Sequence, residues 1–213
     1  WNSDSIYGTT GGEFLPQWGD LSQFKGQTIR LRFRFDTGFI TPANNAHGGV
    51  RIDEIVVVVG YLHEQIESFV REKFPELNVR FIVNNRYNET NTGYSLMLAE
   101  DFIAGSPFVK FDCDVVFEEE VLRRLMASSE ENCLCIDQNI QLDSEEVKVV
   151  LDSENRIIQV GKEIAPTDAI GESIGIEKIS GYTGTLLFAE LRAMMGSENN
   201  LQEYYEGAYE RLI

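Results

Sequence analysis

Histidine is nearly absent from this chain: there are two in 213 residues, His47 and His63. Cysteine is scarce as well, at three, and Cys113, Cys133 and Cys135 have no regular spacing. An odd, irregular set of this kind does not form a disulfide framework. With so few histidines, a zinc site of about four nitrogen and sulfur ligands is also a poor fit. Cys133 and Cys135 stand two apart, which puts them on one side of a strand. The simplest expectation for all three is a buried free thiol. Basic residues are few: 18 Lys and Arg against 35 Asp and Glu, for a net charge of −17. That balance argues against a nucleic-acid binder that works by neutralising phosphates. It also opposes adsorption to an anionic membrane. The longest apolar run, Ile55 to Gly60, is far too short to span a bilayer. No internal repeat is visible. No basic-then-apolar leader precedes the first strand, and the chain opens at Trp1, so the start reads as processed or as a fragment.

What is present is enough to build a core. Hydrophobic residues make up 43% and aromatics 11%, which excludes a disordered chain. Charge is distributed unevenly. Residues 1–56 carry net −1 and residues 57–213 net −16, and every cysteine and methionine lies in the second part. The step implies two pieces of different origin meeting near 52–58.

The first piece reads as β. In Thr28 to Asp36, Ile29, Leu31, Phe33 and Phe35 alternate with Arg30, Arg32 and Arg34, the pattern of a half-buried antiparallel strand. The three arginines suit a solvated face, or an anion site. Phe39 to Gly49 reads as a loop, and Val50 and Ile52 resume the alternation.

The second piece reads as α/β. Val56 to Val59 is a β-branched run suited to a strand covered on both faces. Leu62, Ile66, Phe69, Val70 and Phe74 have helical spacing, and Pro75 ends that helix. Val79 to Val83 is the next strand. Asn91 or Thr92 can cap a helix carrying Leu96, Leu98, Ala99, Phe102 and Ile103. Pro107 to Phe111 and Asn132 to Asp137 are strand-like, with a helix over Glu118 to Met126 between them. Val147 to Asp152 and Arg156 to Val160 make a hairpin. Ser173 to Ile179 is extended, and Tyr182 to Met195 and Leu201 to Leu212 are helical. Alternation of this kind implies a Rossmann-like, mostly parallel sheet with flanking helices, preceded by a short β-sandwich-like fragment.

Four places could carry chemistry. Asp112-Cys113-Asp114 closes a hydrophobic strand, where ligands gather in open α/β sheets. Residues two apart can face one side, and paired carboxylates suit Mg²⁺; a capping turn explains them equally. The polar run Asn88 to Leu96 opens a helix, where backbone N–H groups can meet a nucleobase or phosphate, or simply be capped. Lys162 ends a strand and could hold a phosphate, or lie in solvent. Gly171-Glu172-Ser173-Ile174-Gly175 could let a substrate approach the backbone, or be a plain loop.

Taken in order, these segments carry a resemblance. Val58-Val59-Gly60-Tyr61, then Tyr87-Asn88-Glu89-Thr90-Asn91-Thr92-Gly93-Tyr94-Ser95-Leu96, Phe111 to Phe117, Lys162, Gly171 to Ile176 and Tyr204-Tyr205-Glu206 resemble the sugar-phosphate nucleotidyltransferases. The nearest branch is that of inositol-1-phosphate and phosphocholine cytidylyltransferases. The resemblance spans about residues 55–213 and implies an enzyme. It would transfer a nucleotidyl group, cytidylyl by the branch, from an NTP such as CTP to a small phosphorylated alcohol, releasing pyrophosphate. It implies Asp114 as the Mg²⁺ ligand with Asp112 in support, and Asn91, Thr92 and Ser95 near the nucleotide. It further implies Lys162 as the catalytic lysine on the acceptor phosphate, and Gly171, Glu172 and Tyr205 at the acceptor. A cytoplasmic location goes with it. Family members open with a strand and a Gly-rich loop bearing basic residues, and end with a further metal-binding Asp. Neither is found before Val56 or up to Ile213. The expectation is a domain over 56–213 that is incomplete at both ends and gives little turnover alone.

Residues 1–55 resemble part of the jelly-roll modules of immune-inhibitor-A-type secreted metallopeptidases. The resemblance rests on Trp18-Gly19-Asp20-Leu21-Ser22, Gly26 to Phe33 and Gly48 to Ile55. No His-Glu-x-x-His motif accompanies it, so peptidase activity is not implied. Two other readings follow: a secreted, non-enzymatic β-sandwich module that binds carbohydrate or serves adhesion, or an artificial fusion of two fragments.

Overall fold

A computed structural model describes residues 54–103, 105–196 and 200–213. The strand-patterned segment 28–36 and the composition step up to residue 53 lie outside these residues. The elements run β1 (Ile55–Val59), α1 (His63–Lys73), β2 (Val79–Val83), α2 (Thr92–Leu98), α3 (Glu100–Ile103), β3 (Phe108–Phe111), α4 (Glu119–Ala127) and β4 (Cys133–Asp137). There follow β5 (Lys148–Leu151), β6 (Ile157–Gly161), β7 (Gly171–Ile179), α5 (Gly181–Met194) and α6 (Glu206–Glu210). The architecture is mixed α/β, as the alternation of elements implies. No described helix is long and apolar enough to cross a membrane.

Parallel pairing is direct between β1 and β2, in register from Ile55 with Val79 to Val59 with Val83. The other five strands are arranged around β7. Strands β3, β4 and β5 each pair antiparallel with β7, so these three run in a common direction and β7 runs against them. The β5–β6 hairpin turns at Asn155, which adopts a left-handed φ of 61°. Nine residues long, β7 is the spine of this sheet. Its Ile176–Ile179 half pairs with β3 and its Gly171–Glu172 start pairs with β5.

Helix α5 supplies the largest single share of the core. Leu187, Phe188, Leu191 and Met194 are buried against Ile179, Leu201, Tyr205 and Ala208. Burying side chains of this size contributes roughly 1.5–3 kcal/mol each. A second buried pair, Val149 and Val160, joins β5 to β6.

Two helices differ from their expected extents. The helix expected through Ile103 breaks at Ala99 into α2 and α3. Of the segment Leu201 to Leu212, only Glu206–Glu210 is α-helical. The residues before it spend their backbone groups on α2 instead: Asn91 N donates to the Leu201 carbonyl (2.9 Å) and Gly93 N to that of Glu203 (3.3 Å). The cysteines are free, but not uniformly buried. Cys113 is exposed, and Cys133 and Cys135 are half-buried on β4, where a register shift between Leu134 and Ile136 interrupts the expected alternation.

Asn91 caps α2 as expected, its Oδ1 accepting from Thr92 N at 2.8 Å. Replacement by alanine should cost about 1 kcal/mol of stability. Thermal denaturation of Asn91→Ala measures this, and no change would show that the 201–205 contacts alone hold the helix start.

Candidate functional site

Strand alternation places Lys110 and Asp112 on one face of β3 and its continuation, and the antiparallel register sets Lys110 directly opposite Glu177 of β7. Both are nearly closed to solvent, Lys110 at 9% exposure and Glu177 at 3%. The Lys110 ammonium lies 2.9 Å from Asp112 Oδ1 and 3.2 Å from Glu177 Oε2. It also sits 3.4 Å from the centroid of the Tyr205 ring, a cation–π contact. The Tyr205 hydroxyl donates to Asp112 Oδ2 at 2.9 Å. Both oxygens of Asp112 therefore have partners, while about a third of its side chain stays open to solvent. Its N–H donates to the Gly175 carbonyl (2.8 Å), and the space beside its Oδ2 is kept by Gly175, whose φ is +70°. By contrast Asp114 is exposed, and no described residue pairs with it.

Tyr205 also reaches α2: its N–H donates to Thr92 Oγ1 at 3.4 Å. One buried tyrosine thus joins two of the expected site residues, Thr92 and Asp112. It does so from inside the fold, at 3% exposure, and so does not line an open acceptor pocket. Ser95 takes a hydrogen bond from the Nδ2 of buried Asn84 (3.2 Å), which also donates to Thr90 Oγ1 (2.9 Å). The N–H groups of Asn91, Thr92 and Gly93 all have internal acceptors. The start of α2 is thus a dock for residues 201–205, with its first three N–H groups already bonded.

Lys162 stands apart from this cluster and lies 5.1 Å from the centroid of the Tyr204 ring. Its chain neighbour Glu163 lines a shallow depression of about 380 Å³ together with Gln159, Asp168 and Glu210, an acidic surface. Glu172 lies at the other end of β7 from Glu177, paired with Asp137 and Lys148. Burial raises its pKa, and the charges of Glu146, Asp137 and Asp143 raise it further. Gly171 is packed so that a Cβ would strike the Asp137 carbonyl. Its lack of a side chain serves the approach of β4 rather than an open surface.

The charges around Lys110 do not balance. Asp112, Glu177 and Glu206 face a single ammonium. Burial pushes the Glu177 carboxyl up to about 7, with Lys110 opposing and the charges of Asp112 and Glu206 adding. Burial likewise raises Glu206, and it drives the Tyr205 and Tyr209 phenols well above their usual range. Tyr209 Oη and Glu206 Oε2 are buried with no hydrogen-bond partner among the described residues, and Glu177 Oε2 has only its 3.2 Å charge contact with Lys110. Cys135 is pushed up to about 11, mainly by burial, and stays a thiol.

Among the described residues, no group of three or more His, Cys, Asp and Glu is placed to hold a metal. Magnesium is commonly held by one or two carboxylates together with substrate phosphates. The open carboxylate of Asp114 fits that use. Asp112 already has Lys110 and Tyr205 as partners, one on each oxygen, and so is less free for that use.

Lys110 and Glu177 were not among the residues singled out from sequence. Their signal was a charged residue at an inward strand position, in Phe-Val-Lys-Phe and in Gly-Ile-Glu-Lys-Ile. Lys148 is a further case. It is fully buried on β5, with its ammonium donating to the carbonyls of Asp143 and Glu146, each at 2.9 Å.

The fold is the Rossmann-like fold of nucleotidyltransferases. The structure superposes with a TM-score of 0.55 on UDP-glucose pyrophosphorylase complexed with UDP-glucose, at 13% identity, covering 75% of this chain and 68% of that one. With CTP:phosphocholine cytidylyltransferase from Streptococcus pneumoniae the TM-score is 0.52 at 19% identity, covering 75% and 64%. The chain belongs to the family described as "Domain of unknown function (DUF6564)", which matches residues 43–169.

Curated relatives are cytidylyltransferases and related enzymes. Choline-phosphate cytidylyltransferase of Haemophilus influenzae is 41% identical over 73 residues, 34% of this chain and 27% of that protein. CMP-5'-(3-aminopropyl)phosphonate synthase of Streptomyces rubellomurinus is 35% identical over 82 residues, 38% and 13%. CTP:phosphoglutamine cytidylyltransferase of Campylobacter jejuni is 27% identical over 146 residues, 61% and 55%. The chain thus spans about half the length of the last relative and less of the others. The jelly-roll resemblance of residues 1–55 finds no support in these comparisons. The family match begins at residue 43 and extends across the composition step at 52–58.

Proposed function

We propose that this chain carries a cytidylyl-transfer domain. The acceptor's phosphate would attack the α-phosphate of CTP, and pyrophosphate would leave. The acceptor would be a small phosphorylated alcohol. The observation that carries this reading is the exposed carboxylate of Asp114, just beyond the end of β3, in a chain whose relatives are cytidylyltransferases. Catalysis of phosphoryl transfer is mostly positioning and charge neutralisation. Asp114 would hold a magnesium ion, which when bound neutralises phosphate charge. Lys162 would meet the acceptor phosphate, and its cation is needed because the chain's field repels anions. Thr92, Asn91 and Ser95 support the nucleotide side through the docked 201–205 segment rather than through free backbone donors.

The test is binding of CTP with Mn²⁺ as a paramagnetic stand-in for Mg²⁺. The wild-type chain should bind the complex, and Asp114→Asn should weaken it by at least about tenfold. Pyrophosphate release with phosphocholine or inositol-1-phosphate as acceptor should fall in parallel. Binding unchanged by Asp114→Asn would overturn the assignment of the metal ligand, and no nucleotide binding by the wild type would overturn the function.

A further inference from the structure

We infer that Lys110 is a positioning residue for the site at Asp114, and the inference rests on the cytidylyl-transfer reading. A lysine buried to 9% exposure in mid-strand is costly unless its charge is matched. Here it is matched by two carboxylates from different strands, Asp112 at 2.9 Å and Glu177 at 3.2 Å, with the Tyr205 ring as a roof at 3.4 Å.

The arrangement has a directional consequence. Asp112 is held at four points: its Oδ1 by Lys110, its Oδ2 by Tyr205, its N–H by the Gly175 carbonyl, and its flank by the bare Cα of Gly175. A side chain so held keeps one orientation, with its charge directed toward Lys110. The turn Asp112-Cys113-Asp114 is thereby anchored at one end and presents one carboxylate, Asp114, outward. Groups that orient a metal ligand typically matter about 10–100-fold in metal affinity.

The test uses the full chain and Mn²⁺, titrated alone and with CTP, followed by solvent-proton relaxation. Lys110→Met should weaken both titrations about 10–100-fold, and Lys110→Arg should restore most of the affinity because it keeps the cation. Lys110→Met also strands the buried carboxylate of Glu177, so Lys110→Met/Glu177→Gln is the variant that separates folding from positioning. It removes that charge and should melt closer to the wild type while still binding Mn²⁺ weakly. Wild-type Mn²⁺ affinity in that folded double variant would overturn the inference. Should the wild type bind Mn²⁺ at Asp114 but not CTP, the function reading fails while the Lys110 effect on Mn²⁺ alone still upholds the inference. Binding of neither by the wild type overturns both.

Discussion

Gly175→Ala should lower the melting temperature by about 10 °C and weaken binding of Mn²⁺ with CTP in the same variant. Two costs combine. A non-glycine residue at φ +70° is strained by about 1 kcal/mol or more. The new methyl group would also fall on Asp112 Oδ2, which is held by the Tyr205 hydroxyl. Losing a hydrogen bond to a charged acceptor costs roughly 1.5–3 kcal/mol. The sum, about 3–4 kcal/mol, corresponds to about 10 °C for a chain of this size. Calorimetry gives the first effect and the metal–nucleotide titration the second. A variant that melts like the wild type would show that Asp112 moves aside freely, and the anchored turn described above would then be wrong.

Stability should fall as pH rises from about 4.5 to about 7, and Glu177→Gln should flatten that decline. The sign follows from the proton count. In the folded chain the Glu177 carboxyl is raised from 4.5 to about 7, so between these values the folded state holds a proton that the unfolded state has lost. Stability is then greatest below the unfolded pKa and is lost on passing up through the folded one. A shift of this size is worth on the order of 3 kcal/mol. The raised pKa values of Glu206 and Glu172 act in the same direction. The exposed carboxylates Asp143 and Asp152 are lowered instead, so their effect falls at more acid pH and leaves the window clear. Urea denaturation at pH 5, 6, 7 and 8 measures the slope. A wild-type profile that is flat, or that rises toward pH 7, would mean that Glu177 is ionised and fully compensated by Lys110.

Much of the fold was legible in the residue pattern. The run Val56 to Val59, the helical spacing from Leu62 to Phe74 and the break at Pro75 locate β1 and α1 because period and chain-breaking are local properties. The hairpin around Asn155 is legible for the same reason. The direction of β7 was not. Nothing in Gly171 to Ile179 says that it runs against β3, β4 and β5, since strand direction is set by where the connections lead and not by strand composition. The segment 201–205 was misread as helix because its apolar spacing suits one, while its backbone bonds go to α2 across more than a hundred residues of chain.

The site divides along the same line. Asp112 and Asp114 could be picked out by residue type and place, at the end of an apolar strand, and Lys162 and Glu172 likewise. Their roles separate only in three dimensions. Local sequence by itself determined the elements, the acidic turn and the poverty of cations, because these depend on residues close in the chain. Tertiary structure alone decided that Lys110 meets Glu177, that Tyr205 closes over Asp112, and that Asp114 is left open. The first two depend on groups brought together from sites 67 to 93 residues apart, and burial there raises the pKa of Glu177 and Glu206.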